Sequence, residues 1–192
     1  MLELDKNLKT KSYAAEAGTT ACVVFITSSQ IYCANSGDSR AVLCSNRKAI
    51  GLSEDHKPTN PGEKLRITKA GHFVNEERVD GELALSRALG DHQFKDKPQL
   101  PAEQQAVTPF PDVSIRQRSG QDNFIIVACD GIWDVLNNDQ CVAKLNKLYS
   151  ELKPNNSNIC PPVEKMLDEC CPDTIGDGAG TDNMTAIFIR FK

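Results

Sequence analysis

At 192 residues and 21.0 kDa, the chain has room for one substantial domain. Its 40% hydrophobic and 25% charged residues fit a globular protein, and a net charge of −4 excludes general nucleic-acid binding, which needs Lys and Arg in excess. The longest apolar runs, residues 21–26 and 124–129, are too short to cross a bilayer.

Residues 1–17 are polar without a clear period and are expected to form a leader or frayed arm, leaving 18–192 as the domain. Residues 20–27 and 30–35 are rich in Val, Ile, Phe and Tyr, with Ser28-Ser29 suited to a hairpin between them. A turn at 36–39 leads into 40–44, which predicts a three-stranded antiparallel meander. Asn60-Pro61-Gly62-Glu63 predicts a helix start, with Asn60 as cap, Pro61 in the first position and Glu63 reaching back; the helix should stop at Gly71. Residues 83–89 suggest a helical turn, and 92–112, with four prolines, an irregular excursion.

The run 124–129 does not alternate, which fits a strand buried on both faces. Helices are expected from Asn138 or Asp139 to about Ser150, and over 161–171 with Val163, Met166, Leu167, Cys170 and Cys171 on one face. A loop rich in Gly and Asp, 173–183, precedes a final strand at 184–191. Strands come mostly before helices, which favours an α+β layered sandwich over a Rossmann-type fold. The eight cysteines include no C-x-x-C pair and several lie in strand-like runs, so they read as reduced thiols of an intracellular protein, cytoplasmic or nuclear.

Candidate chemistry lies in the carboxylates. Asp130 ends the apolar run and Asp134 follows four residues later. Asp182 closes the glycine-rich loop before the last strand, and Asp38 sits in a hairpin-like turn. Asp residues at strand ends with no histidine beside them suit the hard oxygen ligation that Mg²⁺ and Mn²⁺ prefer. Turn or capping roles are the alternative reading of each taken alone. No Lys-Ser/Thr pair makes the glycine loop a Walker A site, and no frame supplies an EF-hand. His56, His72 and His92 read as surface or turn histidines.

Five stretches then carry a resemblance: Asn35-Ser-Gly-Asp-Ser-Arg40, Asp55-His-Lys-Pro58, Leu85-Ser-Arg-Ala-Leu-Gly-Asp91, Ala128-Cys-Asp-Gly-Ile-Trp-Asp-Val135 and Thr181-Asp-Asn-Met-Thr185. In this order they resemble the metal-dependent Ser/Thr protein phosphatases of the 2C type, over about residues 18–192. Residues 100–105 and 172–178 look most like the gamma subtype. The resemblance implies a four-layer αββα sandwich of two antiparallel sheets flanked by helices. It also implies hydrolysis of phosphoserine and phosphothreonine on protein substrates by a water bridging two or more Mn²⁺ or Mg²⁺ ions. On that likeness Asp130 and Asp182 would ligate the binuclear pair, Asp38 and Asp134 a further metal, and Arg87 and Asp91 would be structural.

The family's upstream Asp-Gly-His motif, which supplies a bridging Asp and an acid His, has no counterpart in this sequence. By resemblance the chain corresponds to the C-terminal portion of the catalytic domain, with a complementing N-terminal segment as an implied partner. Open sheet edges and uncovered apolar surface would follow. The alternative is a non-catalytic phosphatase-like module that binds phosphoproteins or a partner.

Overall fold

The structure, a computed structural model, describes residues 1–14, 16–155, 158–172 and 178–191. Much of 173–183, and with it most of the 172–178 stretch of the subtype likeness, lies outside the described residues. In chain order the elements are α1 (Leu2–Leu8), β1 (Gly18–Thr19), β2 (Ala21–Ile26), β3 (Gln30–Ser36), β4 (Arg40–Ser45), β5 (Lys48–Gly51), α2 (Pro61–Lys69), β6 (Val74–Asn75), β7 (Arg78–Val79) and β8 (Leu89–Gly90). Then follow β9 (Asp112–Gln117), β10 (Asp122–Ala128), α3 (Asp130–Trp133), α4 (Asn138–Leu152), α5 (Pro161–Cys170) and β11 (Ala186–Arg190). The fold is α+β with antiparallel sheets and helices. No described helix is long and apolar enough to cross a membrane.

The chain divides into two units. One comprises Met1–Val23, Cys33–Ser39 and Glu54–Ser114, the other Val24–Tyr32, Arg40–Ser53 and Ile115–Lys192. The second is built on a sheet of order β11-β10-β4-β5, antiparallel throughout. β10 is central, and Phe124, Ile125, Ile126 and Ala128 are all buried, as a run without alternation requires. Phe124, Ile126 and Ala128 pack with Val142, Leu145 and Leu148 of α4 and with Val163 and Met166 of α5. The α4 start is a complete capping box: Asn137 accepts from the Gln140 amide at 2.9 Å and the Gln140 side chain accepts from the Asn137 amide at 2.9 Å. In α5 the buried face is Val163, Met166 and Cys170, whereas Cys171 falls beyond the helix and is exposed.

The predicted meander is not one sheet. β2 and β3 belong to a three-stranded sheet of order β2-β3-β9, while β4 belongs to the four-stranded one. The chain changes sheets at Gly37, whose φ of 119° no residue with a Cβ adopts comfortably. A Cβ there would also lie 2.4 Å from Thr20 Cγ2. On the outer strands of that sheet Val23 (53%), Phe25 (64%), Val113 (59%) and Ile115 (60%) are exposed.

The first unit has its own core around Ile67, Val79, Ala88, Phe94 and Val107. Residues 1–17, set apart in the sequence as a leader, contain α1. Its Asp5 is buried, accepting from Lys95 Nζ and from the Gly90 amide, each at 2.7 Å. Helix α2 begins at Pro61 as expected, but Asn60 makes no cap bond; its side-chain Nδ2 donates instead to the Asp55 carbonyl at 2.8 Å. Residues 83–89 are not helical: Leu83 and Arg87 sit in isolated bridges to Val79 and Thr108. The excursion 92–112 holds two 3-10 turns, His92–Phe94 and Ala102–Gln104, and ends in β9.

Candidate metal-binding and phosphatase site

Register places the second unit's carboxylates. Ala128 pairs with Ala186 at the end of the β10–β11 ladder. Asp130 lies two residues beyond Ala128, and Asp182 four before Ala186, so both leave the sheet at the same end. The two connections touch through backbone. The Cys129 amide donates to the Thr185 carbonyl at 3.2 Å, and Cys129 Sγ accepts from the Thr185 amide at 3.2 Å and donates to the Asn183 carbonyl at 3.4 Å. Gly131 is obligatory for this approach, since a Cβ would stand 2.4 Å from the Asn183 carbonyl oxygen.

Asp130 is half-buried at the first position of α3, and its Oδ1 accepts from the Gly131 amide at 3.0 Å. Asp182 is exposed and accepts from the Asn183 amide at 2.6 Å. Asp134, exposed, ends α3 one turn after Asp130, its amide donating to the Asp130 carbonyl at 2.8 Å. Trp133 points inward and donates from its indole N–H to the Ala128 carbonyl at 2.8 Å, fixing the turn to the strand. Arg40 stacks over the Trp133 ring at 4.9 Å and donates to Asn138 at 2.8 Å.

Asp38 belongs to the first unit. It is buried (3% exposed) and ion-paired with Lys57. Its turn is held on several sides. Asn35 donates to the Gly37 and Glu54 carbonyls, both at 3.0 Å; Thr20 and Ser39 share a hydroxyl bond of 2.8 Å. His56 is buried, not on the surface: Nδ1 accepts the Gly37 amide at 3.2 Å while Nε2 faces Asp112 at 3.1 Å. Asp112 in turn accepts from Arg87 at 2.7 Å, and Arg87 reaches Glu63 with Nε at 3.1 Å and Nη2 at 2.7 Å.

Glu63, expected to cap α2, is the hub of this network. Ser86 Oγ (2.7 Å) and Arg66 (2.8 Å) donate to it as well. Burial alone would raise its pKa, but the Arg87 bonds, the Arg66 charge and Ser86 outweigh that and leave the carboxyl below its ordinary value. Arg87 links Glu63 to Asp112. Asp91, with φ 49°, has its pKa raised by burial.

The other histidines are also inward. His72 donates to Asp80 at 2.6 Å and to Asp96 at 3.0 Å, bracing the β6–β7 hairpin. Burial would lower its pKa, but the two carboxylates prevail and raise it. His92, with a side chain 9% exposed, packs against Asp5. Sequence reasoning missed Asp112, since a residue behind four prolines in an irregular stretch gives no local signal.

Asp130, Asp134 and Asp182 take part in no ion pair with a described Lys, Arg or His, and their carboxyl oxygens are the hard donors a divalent cation takes. Among the described residues, however, no three His, Cys, Asp or Glu side chains converge tightly enough to enclose a metal. Asp130 and Asp182 thus fit as part of an oxygen-ligand set and do not complete one.

The family profile of "Protein phosphatase 2C" matches residues 1–171. The chain is 46% identical over 177 residues to "Probable protein phosphatase 2C 60" of Arabidopsis thaliana, covering 92% of this chain and 48% of that protein. It is 42% identical over 190 residues to "Probable protein phosphatase 2C 6" of Paramecium tetraurelia, covering 99% and 63%. Among solved structures, a phosphatase from Toxoplasma gondii superposes with TM-score 0.74 at 27% identity, over 92% of this chain and 63% of that one. The chain therefore spans between about half and just under two thirds of these relatives. With a profile running from α1 to the end of α5 and relatives above 40% identity, the chain belongs to the protein phosphatase 2C family.

Proposed function

We propose that the protein to which this chain belongs hydrolyses phosphoserine and phosphothreonine on proteins with Mg²⁺ or Mn²⁺, two or more ions, at a site that includes Asp130 and Asp182. The observation that carries this is the shared exit of the two aspartates from the β10–β11 ladder, closed by the Gly131–Asn183 backbone contact. Bound divalent cations supply charge screening for the phosphoryl group and a water of lowered pKa.

The chain's own residues hold and aim. Asp130 and Asp182 offer carboxylate oxygens from connections that touch through backbone, and Asp134, one helical turn on, offers a further one. Asp38, in the first unit, is ion-paired with Lys57, so any cation it took would compete with a pair already made. The Glu63–Arg87–Asp112–His56 chain keeps the Asp38 turn in place.

Two features favour a second reading, a phosphatase-like module that binds phosphoproteins without turnover: the Asp38–Lys57 pair, and the incomplete carboxylate cluster among the described residues. One experiment separates them. Mn²⁺-dependent release of phosphate from a phosphothreonine peptide is measured beside Mn²⁺ binding by EPR, for the chain, D130N and D182N. Turnover abolished in both variants supports catalysis; Mn²⁺ or phosphopeptide binding without turnover supports the module. Mn²⁺ binding unchanged by either substitution would refute the proposed site.

A further inference from the structure

The second unit has a cavity of about 440 Å³ at the opposite end of β10 from Asp130, lined by Asp122, Asn123 and Phe124 at the start of that strand. Six residues of strand put it on the order of 20 Å from the carboxylates, so it is not the place where a phosphoryl group would react there. Its volume falls in the range of small-molecule sites.

The walls are largely aromatic, and two arginines stand among the polar groups. Phe124 and Phe188 lie with ring centres 5.0 Å apart and planes tilted by 46°, and Tyr149 meets Phe188 at 6.4 Å. Arg190 lies over the Tyr149 ring at 4.9 Å. Arg47 projects from a two-residue turn whose positive φ angles, 49° at Asn46 and 64° at Arg47, match the tight hairpin between β4 and β5. The Arg47 amide is fixed by Asn123 at 3.3 Å. The one carboxylate in the lining, Asp122, is turned to its own loop, accepting from the Ser119 amide at 2.9 Å and hydroxyl at 3.2 Å.

A single group is left over. The Tyr149 hydroxyl is buried and has no hydrogen-bond partner among the described residues, although a buried phenol nearly always finds one. An oxygen acceptor in the cavity would reach it once the Arg190 side chain that lies over the ring moves aside, with Arg47 as a second cation in the lining. We propose that this cavity binds a small aromatic anion, a single ring carrying a carboxylate or phosphoryl group. The ring would lie along Phe124 and Phe188, and the anionic oxygens would accept from Tyr149 and the arginines.

The test is an NMR titration of the full chain, labelled with ¹⁵N, using 4-hydroxybenzoate and the non-hydrolysable phenylphosphonate as probes. Inorganic phosphate and cyclohexanecarboxylate serve as controls for the ring. Saturable shifts confined to amides around Asn123, Asn146, Ser150 and Phe188 are expected for at least one probe, and the tighter one identifies the head group. Charge-assisted hydrogen bonds are strong enough that R190Q or R47Q should weaken binding by about tenfold or more. R47Q sits in an exposed turn, so it remains informative if R190Q fails to fold. Shifts still linear at about 20 mM probe would overturn the proposal, since a built site should saturate well below that. So would equal binding of the non-aromatic controls, or affinity unchanged in R47Q.

Discussion

Replacing Arg87 with Met tests the polar network that holds the first unit. Arg87 gives Glu63 two donors and Asp112 one. Glu63 is 7% exposed at its side chain and would keep Arg66 and Ser86. Removing one partner of a buried ion pair costs about 3–5 kcal/mol, and the remaining cation places this case at the lower end, about 3 kcal/mol. The Asp112 carboxylate is 65% exposed, so its share adds less than about 1 kcal/mol. For a chain of this size the loss corresponds to a drop of about 6–12 °C in Tm. Urea unfolding followed by far-UV CD should show the midpoint falling with the slope unchanged. A cycle with E63Q should return a coupling of about 1–3 kcal/mol between the two sites. The pH dependence adds a second check. Glu63 has a depressed folded pKa, so its contribution is present above the ordinary carboxylate value and fades as pH falls through the folded one. Part of the acid sensitivity below about pH 4.5 should therefore vanish in R87M. A destabilisation under about 1 kcal/mol, or coupling indistinguishable from zero, would refute the view of Glu63 as a buried hub.

G131A should push the Asn183 carbonyl away, costing about 1–3 kcal/mol as overpacking does and weakening Mn²⁺ binding by EPR; unchanged binding would show that the backbone contact does not position Asp182. His72 has a raised pKa, so its contribution is complete below about pH 6.5 and is lost as pH rises through the higher folded value; its imidazole resonances should titrate above the free-histidine value, and D80N should lower the midpoint. N137A removes a capping box and should destabilise the chain by about 1 kcal/mol by urea unfolding. Burial pushes the Cys141 thiol up to about 12, so DTNB should modify exposed Cys160 and Cys171 rapidly in the native chain and Cys141 only on unfolding.

What could be read from the sequence depended on the range of the interaction involved. β10 and α5 were legible because burial on one or both faces leaves a pattern within the segment itself, and α2 because Pro61 and Gly71 mark its ends. The two-residue strands β6, β7 and β8 carry too few residues for any period, and β9 alternates no apolar face into a core: Val113 and Ile115 are exposed. Asn60-Pro-Gly-Glu63 has the spacing of a capping box, yet Glu63 is claimed by Arg87 and Ser86, more than twenty residues away, and two cationic or hydroxyl donors in a buried site outcompete one backbone amide.

The same reasoning applies to the histidines and the candidate site. A histidine beside Asp or Gly in a polar stretch looks like solvated surface, but His72 is enclosed by Asp80 and Asp96, eight and twenty-four residues on. Asp130 and Asp182 stood out because each ends or precedes an apolar strand, a feature of local sequence. That they leave one sheet end together follows only from the β10–β11 register, which no local pattern encodes. Asp38 shows the converse. Its neighbours Gly37 and Ser39 signal a turn, while the cation beside it, Lys57, comes from a motif nineteen residues on. A buried carboxylate with a lysine already in place meets any incoming cation in competition. Mn²⁺ affinity at Asp38 should therefore rise when Lys57 is replaced by Met, and a metal titration of K57M would measure how far that ion pair opposes occupancy.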